Sequence, residues 1–279
     1  MGLRINANVA SMNTLNTLSG NKGKLDMAMN RLSSGSKINK SSDDAAGLAI
    51  SEGLKARLRG LKQSDKNAQD GISFIQIAEG GLNEVSNILI RLRELGIQSA
   101  SDTISDRERK LVGIEYSQLL SEVDRIAATT EFNGTNLLSG TADNIDFQIN
   151  TKNSPLADRI SFDGTASDIR TQTLGLDQAN VNDKFSAQES LAMVDSAIQH
   201  VAALRSNFGS VQSRLNSTVE NLQQSVENNA MANSRIRDAD VAEESTNMAK
   251  QNILMQAGTA VLAQSNQQGQ LAMQLMRQG

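Results

Sequence analysis

The chain has no cysteine and no tryptophan, and its 279 residues include one proline, one histidine and one tyrosine. Without cysteine there are no disulfides, no thiolate metal sites and no cysteine nucleophile. Aromatic residues make up 3%, little for a compact enzyme with a layered core. A single proline leaves long stretches free to run as helix, because proline removes a backbone donor and clashes with the preceding turn. The net charge of -4 gives no electrostatic reason to expect a nucleic-acid partner. No apolar run approaches the ~20 residues of a membrane span, so no membrane partner is expected. The opening MGLRINANVA has neither the basic nor the apolar region of a cleaved secretory signal. Composition by itself therefore points to a soluble cytoplasmic protein. There is no P-loop, GxSxG, HExxH or dinucleotide fingerprint, and no cofactor or metal is implied.

What the sequence does contain is helical periodicity. Leu191, Val194, Ile198, Val201, Leu204, Phe208, Val211, Leu215, Val219, Leu222 and Val226 succeed one another at steps of three or four. That is a narrow stripe on one helix face, the pattern of coiled-coil packing. It predicts a helix over about 186–234, roughly 70 Å long. A second stripe runs through Leu48, Leu54, Leu58, Leu61, Ile72, Ile75, Leu82, Val85, Leu89, Leu92 and Leu95, with Ser42 and Asp43 as N-cap candidates. Gly71, Gly80 and Gly81 weaken that helix without breaking it, at about 1 kcal/mol each. A third stripe places Leu111, Leu119, Val123 and Ile126 together, with Ser105 as a cap. Three such stripes predict one long antiparallel bundle, a mainly α fold.

Residues from about 130 to 185 read differently. Four glycines and the only proline, Pro155, punctuate them. IDFQIN and DRISFDG alternate apolar and polar residues, predicting a small β-hairpin region at about 140–175. The two chain ends have a third character. Val9, Met12, Leu15, Leu18, Leu25, Met29 and Leu32 recur at roughly helical spacing near the start. Near the end Leu254, Val261, Gln268 and Leu275 fall seven apart, with Ala257 and Leu271 beside them. This seam is thin. A buried leucine contributes ~1.5–3 kcal/mol, while ordering one residue costs ~1–2 kcal/mol in backbone entropy. The ends are therefore expected to fold against each other and against neighbouring copies of the chain.

Chemistry-bearing residues are sparse. His200 lies within the long helix and reads as a structural or surface residue rather than a catalyst. Asp43 and Asp44 could form a carboxylate pair, but their place at a helix start gives them a simpler role, since anions favour that end. Met27, Met29, Met248, Met255, Met273 and Met276 read as adaptable packing rather than as a promiscuous groove.

Five segments, in order, resemble bacterial flagellins over nearly the whole length: RLSSGSKINKSSDDAAGLAIS, NAQDGISFIQIAEGGLNEV, RLRELGIQSA, EVDRIAATTEFNGTNLLSG and QAGTAVLAQSNQ. The chain lacks the large central insertion of many flagellins and is similar to a short, core-only form. The resemblance implies discontinuous domains built from both chain ends. Residues 1–42 and 238–279 would form an inner core that lines the filament channel, and 43–237 an outer core. It implies a non-enzymatic subunit that polymerises into the extracellular flagellar filament, exported unfolded through the flagellar type III apparatus, which reverses the cytoplasmic expectation. The implied partners are other copies of the chain, the export apparatus, an export chaperone, and the filament cap and hook-junction proteins. The implied assembly residues are Val9, Met12, Leu15, Leu18, Leu25, Leu32, Leu254, Ala257, Val261, Leu271 and Leu275. By the same resemblance Arg91, Leu95 and Glu115 fall where recognised flagellins contact a vertebrate Toll-like receptor. Arg91 and Leu95, four apart, are expected on one helix face, although Leu95 also continues the apolar stripe and Arg91 could simply pair with Glu115. Two other classes share these features: a hook–filament junction protein and a secreted coiled-coil interaction protein.

Overall fold

The computed structural model describes the backbone of residues 8–277 and the side chains of residues 8–267. Five helices dominate: α1 (Val9–Ser34), α2 (Ala45–Ala100), α3 (Asp106–Thr129), α4 (Lys184–Arg237) and α5 (Val241–Arg277). Two antiparallel strand pairs lie between α3 and α4: β1 (Glu131–Phe132) with β2 (Thr135–Asn136), and β3 (Ile145–Gln148) with β4 (Arg159–Phe162). The chain divides into two units, Met1–Ala56 with Asn228–Gly279, and Arg57–Glu227.

Each helix start has an identifiable cause. Asn8 caps α1 by accepting from the Ser11 amide, and Gly35 ends it in the left-handed conformation. The cap of α2 is Asp44, whose Oδ1 accepts from the Gly47 amide at 2.9 Å. Asp43, expected as the cap, instead accepts from the amides of Asn39 and Lys40, and those bonds hold its carboxyl below the usual range. Ser105 and Glu108 form the full capping box of α3. Asp183 caps α4 by accepting from the Ser186 amide at 3.0 Å, so the helix starts slightly before the predicted Ser186.

In the unit Arg57–Glu227, α2 lies antiparallel to both α3 and α4. Arg91 meets Glu115, and Gly81 faces Thr130. Arg93 meets Asp195 while Phe74, Phe162 and Phe208 pack in series further along. It follows that α3 and α4 run in the same direction, because residues 130–183 carry the chain back along the bundle. The buried residues of α4 include Ala187, Ser190, Val194, Ala197, Val201, Leu204, Phe208, Val211 and Leu215, close to the predicted stripe. On α3 the buried face runs through Arg109, Tyr116, Val123 and Ala127. Leu111, assigned to that face from the sequence, is 64% exposed; Val112, one residue on, packs against the core instead.

The few aromatics are concentrated. Phe74 makes edge contacts with Phe132, Phe147 and Phe162, and Phe162 stacks on Phe208 at 4.8 Å. Five of the six phenylalanines thus fasten both hairpins to α2 and α4. The predicted hairpin has the expected strands, with Ile145 opposite Phe162 and Gln148 opposite Arg159. Gly71 on α2 lets it approach: a Cβ there would meet the Phe147 ring at 3.0 Å. Arg109 closes the α2–α3 turn, its guanidinium buried and donating to the Ser99 and Ser101 carbonyls.

Candidate assembly surface

The unit Met1–Ala56 with Asn228–Gly279 is built on one helix pair. Asn8 Nδ2 donates to the Ser265 carbonyl at 3.1 Å, Leu18 lies against Gly258, and Arg31 Nη1 donates to Glu244 Oε1 at 2.8 Å. As α1 advances its partners on α5 recede, so the helices are antiparallel. A backbone clasp closes one end: the Lys37 amide donates to the Arg237 carbonyl, the Ala239 amide donates to the Gly35 carbonyl, and Ser36 bridges Asp238. Arg237 also reaches Glu52, and its hydrogen bond lowers the Glu52 pKa.

The facing rows can be read residue by residue. On α1 the more sheltered positions are Ser11, Thr14, Leu18, Asn21, Leu25, Ala28 and Leu32, in alternating steps of three and four. On α5 they are Glu244, Met248, Gln251, Met255, Gly258, Leu262 and Ser265. Both are coiled-coil rows. Their content is poor: small or polar residues alternate with single Leu and Met side chains. Gln251 Oε1 is buried without a hydrogen-bond partner among the described residues.

This geometry divides the assembly residues expected from the sequence. Leu18, Leu25 and Leu32 lie on the row that α1 turns toward α5. Val9, Met12 and Leu15 lie off it and are 56%, 60% and 49% exposed. On α5 the expected seam of Leu254, Ala257 and Val261 is not the one that α1 covers. The packed row sits one residue further on, at Met255, Gly258 and Leu262, and Leu254 and Val261 stay 39% and 54% exposed. The reason is steric: Gly258 leaves room for the Leu18 side chain, whereas every residue of the neighbouring row carries a Cβ. Leu271 and Leu275 lie outside the residues whose side chains are described. The helix pair therefore uses one sparse row internally and leaves Leu254 and Val261 of the neighbouring row uncovered, with Ile253 exposed beside them.

The residues expected at a receptor contact also separate. Leu95 is 1% exposed and belongs to the bundle core. Of the two readings of Leu95 that the sequence left open, its burial fits the continuation of the core stripe: Arg91 stands at the margin of that stripe and Leu95 turns inward beside Leu92. Arg91 and Glu115 are exposed and joined, with Nη2 to Oε1 at 2.9 Å, and Glu94 accepts from Arg91 Nη1 at 3.0 Å. These two carboxylates raise the Arg91 pKa. The β1–β2 hairpin was missed in the sequence, although Asn133-Gly134, both with positive φ, is a strong tight-turn signal. His200 is exposed on α4. No cluster of three or more metal-ligating side chains occurs among the described residues, and no described helix is long and apolar enough to cross a membrane.

An antiparallel helix pair made from both chain ends, with apolar side chains left exposed on its outside, marks a helical structural protein. Two family models match: the bacterial flagellin N-terminal helical region over residues 5–143 and the bacterial flagellin C-terminal helical region over residues 191–276. The chain is 42% identical to a flagellin of Halalkalibacterium halodurans, covering 98% of this chain and 99% of that one. It is also 42% identical to a flagellin of Bacillus subtilis, covering 99% and 100%. A flagellar filament 33 kDa core protein of Treponema phagedenis is 38% identical over 98% of this chain and 99% of its own. The crystal structure of Bacillus cereus flagellin superposes with a TM-score of 0.51 at 31% identity, covering 56% of this chain and 88% of that one. The chain belongs to the bacterial flagellin family and is a structural subunit of the flagellar filament.

Proposed function

We propose that the uncovered apolar rows of α1 and α5 are where neighbouring copies pack, so that residues 1–42 and 238–279 become the inner core of the filament and 43–237 its outer core. The supporting observation is the pair of adjacent rows on α5. Met255 and Leu262 are turned to α1, while Leu254 and Val261 are 39% and 54% exposed and Ala257 is exposed between them. Each copy then offers the same faces in turn, a heterologous contact that extends into a helical polymer instead of closing. Burial of apolar area supplies the driving force at about 25 cal/mol per Å². The reading also includes unfolded export through the flagellar type III apparatus to the cell exterior. A chain without disulfides, whose terminal pair is held by a thin seam, suits that route. On the same reading the export chaperone, filament cap and hook-junction proteins are its transient partners, and exposed Arg91 and Glu115 are the portion of the receptor surface available on a free subunit. Electron microscopy of the purified chain under polymerising conditions tests the central statement: long filaments of uniform diameter are expected, and a chain that stays monomeric or forms only amorphous aggregate overturns it.

A further inference from the structure

With no cysteine and no tryptophan, the chain's oxidant-reactive groups are its methionine thioethers. Their placement is uneven. Among the described residues, Met12, Met27, Met29 and Met231 are the exposed methionines, and all four lie in the unit formed by the chain ends. Met248 and Met255 are sheltered on the α5 row that faces α1, and Met193 packs against the core of the other unit. Met27 is nine residues from Leu18, about two and a half turns at ~3.6 residues per turn, and so lies on the side of α1 opposite the internal seam. Met12 adjoins the uncovered Val9 and Leu15.

We propose that these four thioethers are a modification site at which hydroperoxides switch the free subunit out of assembly. The inference rests on the reading that the chain-end helices pack against other copies, extended from α1 to Met231, which lies on α4 in the same unit. In the step, the terminal peroxide oxygen is transferred to the methionine sulfur. The sulfide is oxidised to the sulfoxide, the peroxide O–O bond breaks, and hydrogen peroxide is reduced to water. The product replaces a flexible apolar side chain by a polar, chiral one with a strong acceptor oxygen. A free subunit hydrates that oxygen. A packed subunit would have to bury it against an apolar neighbour, where an unpaired polar group is disfavoured. Assembly disfavours oxidation for the same reason, since packed thioethers are shielded, so a finished filament resists an oxidant that disables its unassembled subunits. Reductases specific for each sulfoxide epimer reverse the change.

The test uses the full chain and hydrogen peroxide as probe. Peptide mass mapping of treated monomer follows each methionine, and sedimentation follows polymer yield against the untreated sample. Oxidation of Met12, Met27, Met29 and Met231 ahead of Met193, Met248 and Met255 is expected, with polymer yield falling at least tenfold. Treatment with both methionine sulfoxide reductases is expected to restore the yield. A chain with all four replaced by leucine is compared only with its own untreated sample and is expected to keep its yield after peroxide. Should that chain not polymerise at all, the reductase arm decides. Full oxidation of the four sites with undiminished polymer, or a loss that the reductases do not reverse, overturns the proposal. Failure of untreated wild-type chain to polymerise would instead overturn the packing reading beneath it.

Discussion

Arg31 and Glu244, 213 residues apart in the chain, meet at 2.8 Å where the first and last helices pair. Glu244 is 8% exposed, so its charge is held largely out of water and depends on this partner. Around it the seam offers only small or polar side chains and isolated Leu and Met residues. The ion pair therefore bears more of the pairing than an ordinary surface pair would. Glu244→Gln leaves the guanidinium without its counter-charge, a loss of about 1–3 kcal/mol. Hydrogen exchange in α1 and α5 is expected to accelerate about tenfold or more, with exchange in residues 57–227 unchanged. Limited proteolysis of the wild-type monomer is expected to cut the terminal helices first and leave that central unit. Protection of α1 and α5 equal to that of α4 would contradict both expectations.

The two rows of α5 can be told apart by one charge. Val261→Asp puts a carboxylate on the uncovered row, where it is hydrated in the free subunit but would be buried unpaired between copies, at a cost of several kcal/mol. Filaments are expected to be lost while helix content and α1–α5 pairing persist. Leu262→Asp strikes the row that faces α1 and is expected to release the pair within the monomer, seen as loss of exchange protection in α1. If Val261→Asp polymerised normally, the uncovered row would not be the contact.

Asp168 gives the central unit an acid sensitivity. Burial of its carboxyl raises the pKa, but hydrogen bonds from the Arg170 guanidinium, the Thr173 hydroxyl and the Arg170 amide together outweigh burial and hold it at about 2. Since the folded value lies below the ordinary value of 3.8, the contribution is fully present above about pH 4. It fades as pH falls toward 2, and amounts to about 2 kcal/mol. Asp168→Asn is expected to lower the urea midpoint at pH 7 and to shrink the difference between pH 7 and pH 2.5. An Asn variant with the wild-type pH dependence would show that other carboxylates set the acid limit.

How far the fold can be read in advance depends on how much apolar contrast each segment carries. Along α4 large apolar residues alternate with Asn, Gln and Ser, so only one face can be buried and the periodicity finds it. Along α5 two rows one residue apart both carry apolar residues, Met255 and Leu262 on one and Leu254 and Val261 on the other. The choice between them falls to Gly258, a shape effect that depends on Leu18 arriving from the other end of the chain. On α3, Leu111 fits the period as well as its neighbour Val112, and the direction of the α2 contact decides between them. Leu95 shows a related limit. A step of four advances ~40° around a helix, enough to carry a residue from the margin of a stripe, where Arg91 stands, into its interior.

That last distinction governs receptor recognition. Arg91 is held by Glu115 and Glu94 on an exposed surface, while Leu95 is enclosed by the bundle. If a Toll-like receptor binds the free subunit here, the direct contacts come from the charged pair, and Leu95 acts only by fixing the slope of α2 beneath it. Arg91→Ala and Glu115→Ala each remove an exposed side chain, so the thermal transition should stay within a few degrees of wild type while signalling by purified monomer falls. Leu95→Ala opens a cavity in the core at a cost of about 2–5 kcal/mol. Its signalling loss is expected to track a lowered transition temperature, and cooling the assay should recover part of it. The three variants are compared by receptor reporter assay alongside circular dichroism melts. Equal signalling by Arg91→Ala, Glu115→Ala and wild type would remove the charged pair from the contact. A fully stable Leu95→Ala chain with lost signalling would mean that this leucine reaches the receptor directly, and that α2 must rotate to expose it.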